Sequence, residues 1–313
     1  MSTEKKTTIK VIGIGGAGGN AIDRMVQCKI KGIDLIAVNT DVQDLKKIRA
    51  TQKIRIGQES THGLGAGMNP ELGRRAALES KEELTEALIG ADMVFLAAGL
   101  GGGTGGGAIP VVAEIARSQG ALCIAVVQRP FSFEGSWRTK LAERALSELK
   151  GNVDTLLVIP NDQILKLADP DMSVIAAFWK ADEILRQAVQ GISDLIVIPG
   201  IINVDFADLK SIMKNSGRAV FGMGQAKGEK RMERALEAAL HSPLLDMSIR
   251  GAKGILFNVA GAQDISLQEI QEAAQHIKGE ISAGAKIIFG ALHDKNLKPG
   301  EVRITVIATG FGE

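Results

Sequence analysis

Two runs of glycine are placed where main chain could meet phosphate. GIGGAGGN, Gly13 to Asn20, follows the apolar run IKVI and opens a helical stretch, AIDRMVQ. GLGGGTGGG, Gly99 to Gly107, lies between the apolar run ADMVFLAA and a helical stretch around Pro110 to Arg117. Glycine lets the backbone approach a phosphate closely, and a helix N-terminus offers unpaired N–H groups and the positive end of its dipole. The candidate contacts are Gly16, Ala17, Gly18, Gly19 and Asn20 in the first run, and Gly102, Gly103, Thr104 and Gly105 in the second, with Thr104 adding a hydroxyl. Two such turns facing one crevice can hold a polyphosphate from both sides. Gly13, Gly15 and Gly18 also satisfy GxGxxG, and Asp41 sits about where a dinucleotide fold places its ribose acid. A nicotinamide oxidoreductase is therefore a rival, although it needs only one glycine turn. GxxxxGK[ST] is absent from the sequence, which speaks against a Walker-type ATPase.

These turns need a scaffold, and the first half of the chain supplies one. The runs TIKVIGIGG, IDLIAVNTD, ADMVFLAAG, ALCIAVVQRP and DTLLVIPND are short and continuously apolar, with helix-length segments between them. That pattern predicts a buried parallel sheet covered on both faces, a doubly wound α/β domain whose ligand site lies beyond the carboxyl ends of its strands. From Val174 to Leu195, the residues Val174, Phe178, Ala181, Leu185, Ala188, Ile192 and Leu195 form one helical stripe. Ile175, Ile184, Val189 and Ile196 widen it, as expected of a long helix joining two domains. Carried to Pro199, it would span roughly 37 Å. The remainder alternates again, through FADLKSIMKN, GRAVFGMGQA, KRMERALEAALHS, GAKGILFNVAGA, SLQEIQEAAQHIK, KIIFGALHD and EVRITVIATGF. It reads as a smaller α/β domain with a mixed sheet, since its last two strands have no helix between them. The expected organisation is 1–173 for the nucleotide domain, 174–198 for the central helix and 199–313 for the C-terminal domain.

Composition excludes several classes. The chain has 313 residues, and 37 Lys plus Arg against 36 Asp plus Glu leave +1, so there is no net field to hold a nucleic acid. Aromatics are 4% and Tyr is absent, which leaves few platforms for exposed bases. Cys28 and Cys123 stand far apart, and His62, His241, His276 and His293 have no second ligand at metal spacing, so neither a disulfide framework nor a protein metal site is expected. The start, MSTEKKTT, lacks an apolar signal core, and no run reaches the roughly 18 apolar residues that cross a bilayer. A cytoplasmic protein without direct membrane insertion is expected.

GGGTGGG is close to the signature loop GGGTGTG of the tubulin/FtsZ family of GTPases. VIGIGGAGGNA, AVNTD, HGLGAGMNPE, RPFSFEG, VIPND, QGISDLI, NVDFAD and SPLL resemble that family in the same order along nearly the whole chain. The resemblance implies a GTP/GDP-binding protein that polymerises head to tail into a filament and hydrolyses GTP, with Mg²⁺ carried mainly on the nucleotide phosphates. It also implies a role in bacterial cell division, location at the division site, and division adaptors that bind through a tail absent from this sequence.

The resemblance further assigns base contacts to Asn161, Phe178 and Asp182. Phe178 and Asp182 are one helical turn apart, so a ring and an acid share a face, and a carboxylate and an amide suit guanine's N1–H, N2–H and O6. From the residues alone, Asn161 or Asp162 is equally a helix cap and Asp182 a solvated helix residue. Glu134 and Arg138 match positions on the nucleotide's sugar side, but at i, i+4 they are also an ordinary surface pair.

The first half has no acid or histidine obviously poised to organise an attacking water. Asn203, Asp205 and Asp208 in NVDFADLK resemble the family's activating loop, which acts on the adjacent subunit. The length of the central helix agrees with action between subunits, because these groups follow the end opposite to Phe178 and Asp182. Asp205 as a simple helix cap is the compatible alternative. Gly106 departs from the family, which usually has Thr or Ser there, and raises a second reading: a GTP-binding structural filament that hydrolyses weakly. Trp137 in FEGSW is also unusual.

Overall fold

The computed structural model describes residues 7–30, 32–166, 171–198, 200–242, 245, 248–262, 264–282, 284–294 and 297–311. Of the stretches quoted above, MSTEKK, Pro199, Pro243 and Leu244 lie outside the described residues. The chain forms two compact units, Met1–Gln190 and Gly191–Glu313, and the division falls within one helix.

The first unit carries strands β1 (Ile9–Ile14), β2 (Ile33–Asn39), β3 (Gln52–Arg55), β4 (Met93–Gly99), β5 (Leu122–Arg129) and β6 (Thr155–Pro160). They lie in the order β3-β2-β1-β4-β5-β6, and every pairing among them is parallel. The helices are α1 (Gly15–Gln27), α2 (Val42–Lys47), α3 (Gln58–Thr61), α4 (Pro70–Glu79), α5 (Lys81–Leu88), α6 (Gly103–Ser118), α7 (Ser136–Lys150), α8 (Asn161–Lys166) and the first part of α9 (Val174–Val197). The five apolar runs become β1, β2, β4, β5 and β6, and their Val, Ile, Leu and Ala side chains are buried because helices cover both faces. Strand β3 is the element that apolar content does not announce. Only Ile54 of its four residues is buried, as suits an edge strand.

Both glycine runs lie further inside helices than their composition suggests. Helix α1 begins at Gly15 and α6 at Gly103, although glycine disfavours helix by about 1 kcal/mol relative to alanine. Packing overrides propensity here. A Cβ on Gly107 would stand 2.0 Å from Pro70 O, and one on Gly73 2.1 Å from Gly103 O, so α4 and α6 touch backbone to backbone. Main-chain contact is completed by Gly103 N–H donating to Gly67 O at 2.6 Å.

Helix α9 has 24 residues, about 36 Å at its rise per residue. Its stripe is buried at Ala181, Leu185, Ala188, Ile192 and Leu195, whereas Phe178 is 40% exposed. The first turn departs from the expected burial. Val174 and Ile175 are 62% and 81% exposed, and Trp179 is also largely exposed.

The second unit holds the rest of α9, α10 (Phe206–Met213), β7 (Gly217–Lys227), α11 (Arg231–Leu240), β8 (Gly254–Gly261), α12 (Leu267–Glu280), β9 (Lys286–His293) and β10 (Glu301–Thr309). Its strands run in the order β7-β10-β8-β9. The last strand is antiparallel to both β7 and β8, while β8 and β9 are parallel, so the sheet is mixed as expected. Arg231, almost fully buried, ties α11 to α12 by bonding Asp264 and Glu269.

Candidate functional site

At the carboxyl ends of the first unit's strands lies a cleft of ≈ 590 Å³. Parallel strands put every one of their following turns on that edge, which is why residues far apart in sequence meet there. One end is built from the two glycine turns. Gly15 has φ +72°, a conformation that glycine adopts without strain, and a Cβ on it would come within 3.1 Å of Gly105 N. The two turns therefore abut. Gly105 is pressed in turn against Gly99 O, where a Cβ would stand at 2.5 Å.

Gly16, Ala17 and Asn20 of the first turn line the cleft, as do Gly102, Gly103, Thr104 and Gly105 of the second. Gly18 and Gly19 do not line it. A Cβ on Gly18 would meet Ala97 O at 2.3 Å and one on Gly19 would meet Ile48, so these two seat α1 on its neighbours. The hydroxyl of Thr104 is bonded to that of Thr40 at 2.6 Å.

Gly106 does not line the cleft either. A Cβ there would make ordinary contact, 3.6 Å, with Ala145 on α7. A side chain at this position would therefore sit between helices rather than beside a ligand.

The other end is polar and aromatic. Asn161, the first residue of α8, is 4% exposed, and its Oδ1 is buried without a hydrogen-bond partner. It caps nothing, and Asp162 instead accepts from Ser132 N. Asp182 lines the cleft at 6% exposure. Burial pushes its carboxyl up to about 6, against the opposing pull of the Arg24 guanidinium, 3.5 Å away, and a hydrogen bond from Asn20. Phe178 enters the cleft from the same helix, its ring edge-on to Phe131 at 5.2 Å. Gln128 fixes this wall by donating from Nε2 to Ala181 O at 2.6 Å.

Glu134 and Arg138 line the cleft and pair with each other at 3.5 Å. Glu134 also accepts from Phe131 N, so it is more than a surface pair. Asn39, Asp41, Asp44, Leu64, Gly65, Ala66, Gly67, Arg129 and Pro130 are also among the lining residues. Asp41 caps α2 by accepting from Gln43 N and Asp44 N, a local duty that would compete with ribose binding. The 64–67 segment was not among the expected contacts. Its signal was the spaced glycines of GLGAG, since Gly65 and Gly67 both take positive φ.

Every residue lining the cleft belongs to the first unit. Asn203, Asp205 and Asp208 belong to the second and are exposed around the start of α10. Asp205 caps that helix through Ala207 N, and Asn203 Oδ1 accepts from Gly200 N.

The strand order is also that of dinucleotide folds, so topology does not separate the nucleotide readings. Relatives do. Residues 8–169 match the Tubulin/FtsZ family, GTPase domain, and residues 217–312 match the FtsZ family, C-terminal domain. A structure described as an empty FtsZ dimer from M. jannaschii is 47% identical, with a TM-score of 0.94 over 98% of this chain and 89% of that one. CetZ2 from Haloferax volcanii, described as a GTPγS-bound protofilament, is 24% identical, with a TM-score of 0.80 over 96% and 92%. CetZ1 from the same organism, a GDP-bound monomer, is 23% identical, with a TM-score of 0.84 over 98% and 95%. The two CetZ likenesses speak to the fold alone.

Proposed function

Because this chain belongs to the Tubulin/FtsZ family and is a GTP-hydrolysing cytoskeletal filament protein of the FtsZ type, we propose that its cleft reads guanine through Asn161, Phe178 and Asp182 and holds the phosphates on its two glycine turns. The observation that carries this reading is the buried, unpartnered Oδ1 of Asn161 in a cleft that the buried carboxylate of Asp182 also lines. Buried polar atoms are nearly always satisfied, and a guanine edge offers the donor that Asn161 Oδ1 lacks and further donors that the Asp182 carboxylate can accept. Phe178 gives the base a ring, and Glu134 with Arg138 faces the sugar side.

The phosphates would be met by main-chain N–H groups of Gly16, Ala17, Gly102, Gly103 and Gly105. Mg²⁺, when bound with the nucleotide, neutralises charge building on the phosphates. Among the described residues no group of three or more His, Cys, Asp or Glu is placed to hold a metal. Asp44, 4.0 Å from where a Cβ on Gly16 would stand, is the lining carboxylate that could share an ion carried by the phosphates.

Hydrolysis needs a water in line with the leaving phosphate, and the acids lining the cleft have other duties, Asp44 beside the ion among them. Asp41 caps α2, Glu134 holds Phe131 N and Arg138, and Asp182 serves the base. Asp205 and Asp208, with Asn203 supporting their loop, are exposed and suited to a neighbouring copy's nucleotide. The active unit is then a head-to-tail pair within a homopolymer. A cytoplasmic filament at the division site, tethered by adaptor proteins, is the cellular role this implies. Among the described residues no helix is long and apolar enough to cross a membrane. The test is phosphate release against protein concentration. A more than linear rise is expected, with Asp208→Ala keeping GTP binding and losing turnover; strictly linear release would sink the shared site.

A further inference from the structure

Arg24 lies behind the base-reading wall and is held there on two sides. Its guanidinium carbon stands 4.4 Å from the centroid of the Trp179 ring, and Nη2 is 3.5 Å from Asp182 Oδ2. Its Nε is buried and has no hydrogen-bond partner. Trp179 and Asp182 are three residues apart on α9 and present the ring and the carboxylate to one cation. Arg24 itself projects from α1, the helix whose first turn is the glycine cradle.

We propose that Arg24, clamped over Trp179, is a positioning residue for guanine recognition, keeping the Asp182 carboxylate ionised and aimed at the base without touching the nucleotide. The proposal rests on the reading of Asp182 given above. An ionised carboxylate accepts from guanine's N1–H and N2–H, whereas a protonated one loses acceptor capacity and presents a donor of its own. At 6% exposure, burial favours the protonated form, and Arg24 is the cation that opposes it. The other groups near this carboxylate are accounted for. Asn20 of α1 is a neutral donor, and Asp23 of α1 is turned to Arg49. On α9, Glu183 is paired with Arg186 and also feels the charge of Arg24, and Lys180 is exposed, while β5 presents the neutral Gln128.

The experiment is equilibrium binding of GDP to the whole protein between about pH 5 and about pH 8.5, a range that spans the titration of a raised carboxylate. In Arg24→Met the loss of affinity should set in about one pH unit higher than in the wild type, leaving binding about twofold weaker at about pH 7 and about tenfold weaker at about pH 5, and converging above about pH 8. Arg24→Lys should restore most of the profile. Trp179→Leu, which removes the ring and keeps the charge, should move it part of the way. An Arg24→Met profile that overlies the wild type, or is weaker by one factor at every pH, overturns the proposal. Asp182→Asn separates the two readings. If it binds GDP as the wild type does, the base assignment itself fails; if it binds weakly while Arg24→Met is unaffected, only the role of Arg24 falls.

Discussion

The hydroxyls of Thr40 and Thr104 stand 2.6 Å apart, joining the segment after β2 to the first turn of α6. Thr40 is fully buried, while Thr104 faces the cleft and is only partly covered. The pair is therefore asymmetric. Thr104→Val leaves a buried hydroxyl without a partner and should cost about 1–3 kcal/mol, whereas Thr40→Val leaves one that water can reach and should cost about 1 kcal/mol. Chemical denaturation of the two variants measures the difference, and equal losses would contradict the asymmetry.

The glycines of α6 should respond in opposite directions. Gly107→Ala drives a methyl into Pro70 O and should unfold the protein at a visibly lower temperature or prevent folding altogether. Gly106→Ala meets only an ordinary contact and should raise stability by about 1 kcal/mol through helix propensity, with GTP binding unchanged. Thermal melts with nucleotide titrations check both. A loss of GTP affinity in Gly106→Ala would revive the weakly hydrolysing alternative, because position 106 would then matter to the ligand.

The pH dependence of nucleotide-free stability has a definite sign. Asp182 holds its proton more tightly folded, up to about 6, than unfolded, where the ordinary value of 3.8 applies. Between those values the folded state binds more protons, so this group's contribution is fullest below the ordinary carboxylate range and is lost as pH rises through about 6. Asp182→Asn should flatten that slope in denaturation curves collected from about pH 4 to about pH 7. Guanine affinity runs the other way and should weaken as pH falls through the same window.

Asp205 and Asp208 can be told apart by stability. Asp205→Ala removes the cap on α10 and should cost about 1 kcal/mol, while Asp205→Asn keeps the cap. Asp208→Ala loses only a favourable charge in the first turn, about 0.5 kcal/mol. If both act on the attacking water, Asp205→Asn and Asp208→Ala should each reduce GTP turnover about a hundredfold with nucleotide binding intact. Turnover that simply tracks stability would leave the two residues with a structural role alone.

Much of this architecture was legible because burial dictates composition. Five central strands buried on both faces have to be continuously apolar, and the stripe of α9 repeats as a helix must. The less legible parts are those where backbone geometry, rather than side-chain character, decides. Glycine content argued for turns at 15–20 and 103–107, yet helices run through both, and close approach of neighbouring backbone leaves no room for a Cβ at Gly18, Gly103 and Gly107. At Gly18 and Gly19 a side chain would meet Ala97 and Ile48, a packing duty that glycine content alone does not reveal. Val174 and Ile175 fit the apolar period of α9 and are nonetheless exposed, since periodicity says which side a residue is on and not whether anything covers it. The 64–67 segment reaches the cleft through positive-φ turns that hydrophobic patterning does not register.

At Gly73, Gly103 and Gly107 main chain is seated against main chain, so at these three points no side chain lies between α4 and α6 to absorb a displacement. The second glycine turn cannot tighten on an anion while its neighbour stays behind. Residues 64–79 and 103–107 should travel as one stiff lever, so gain or loss of the terminal phosphate would be reported well away from the cleft, at the outer end of α4.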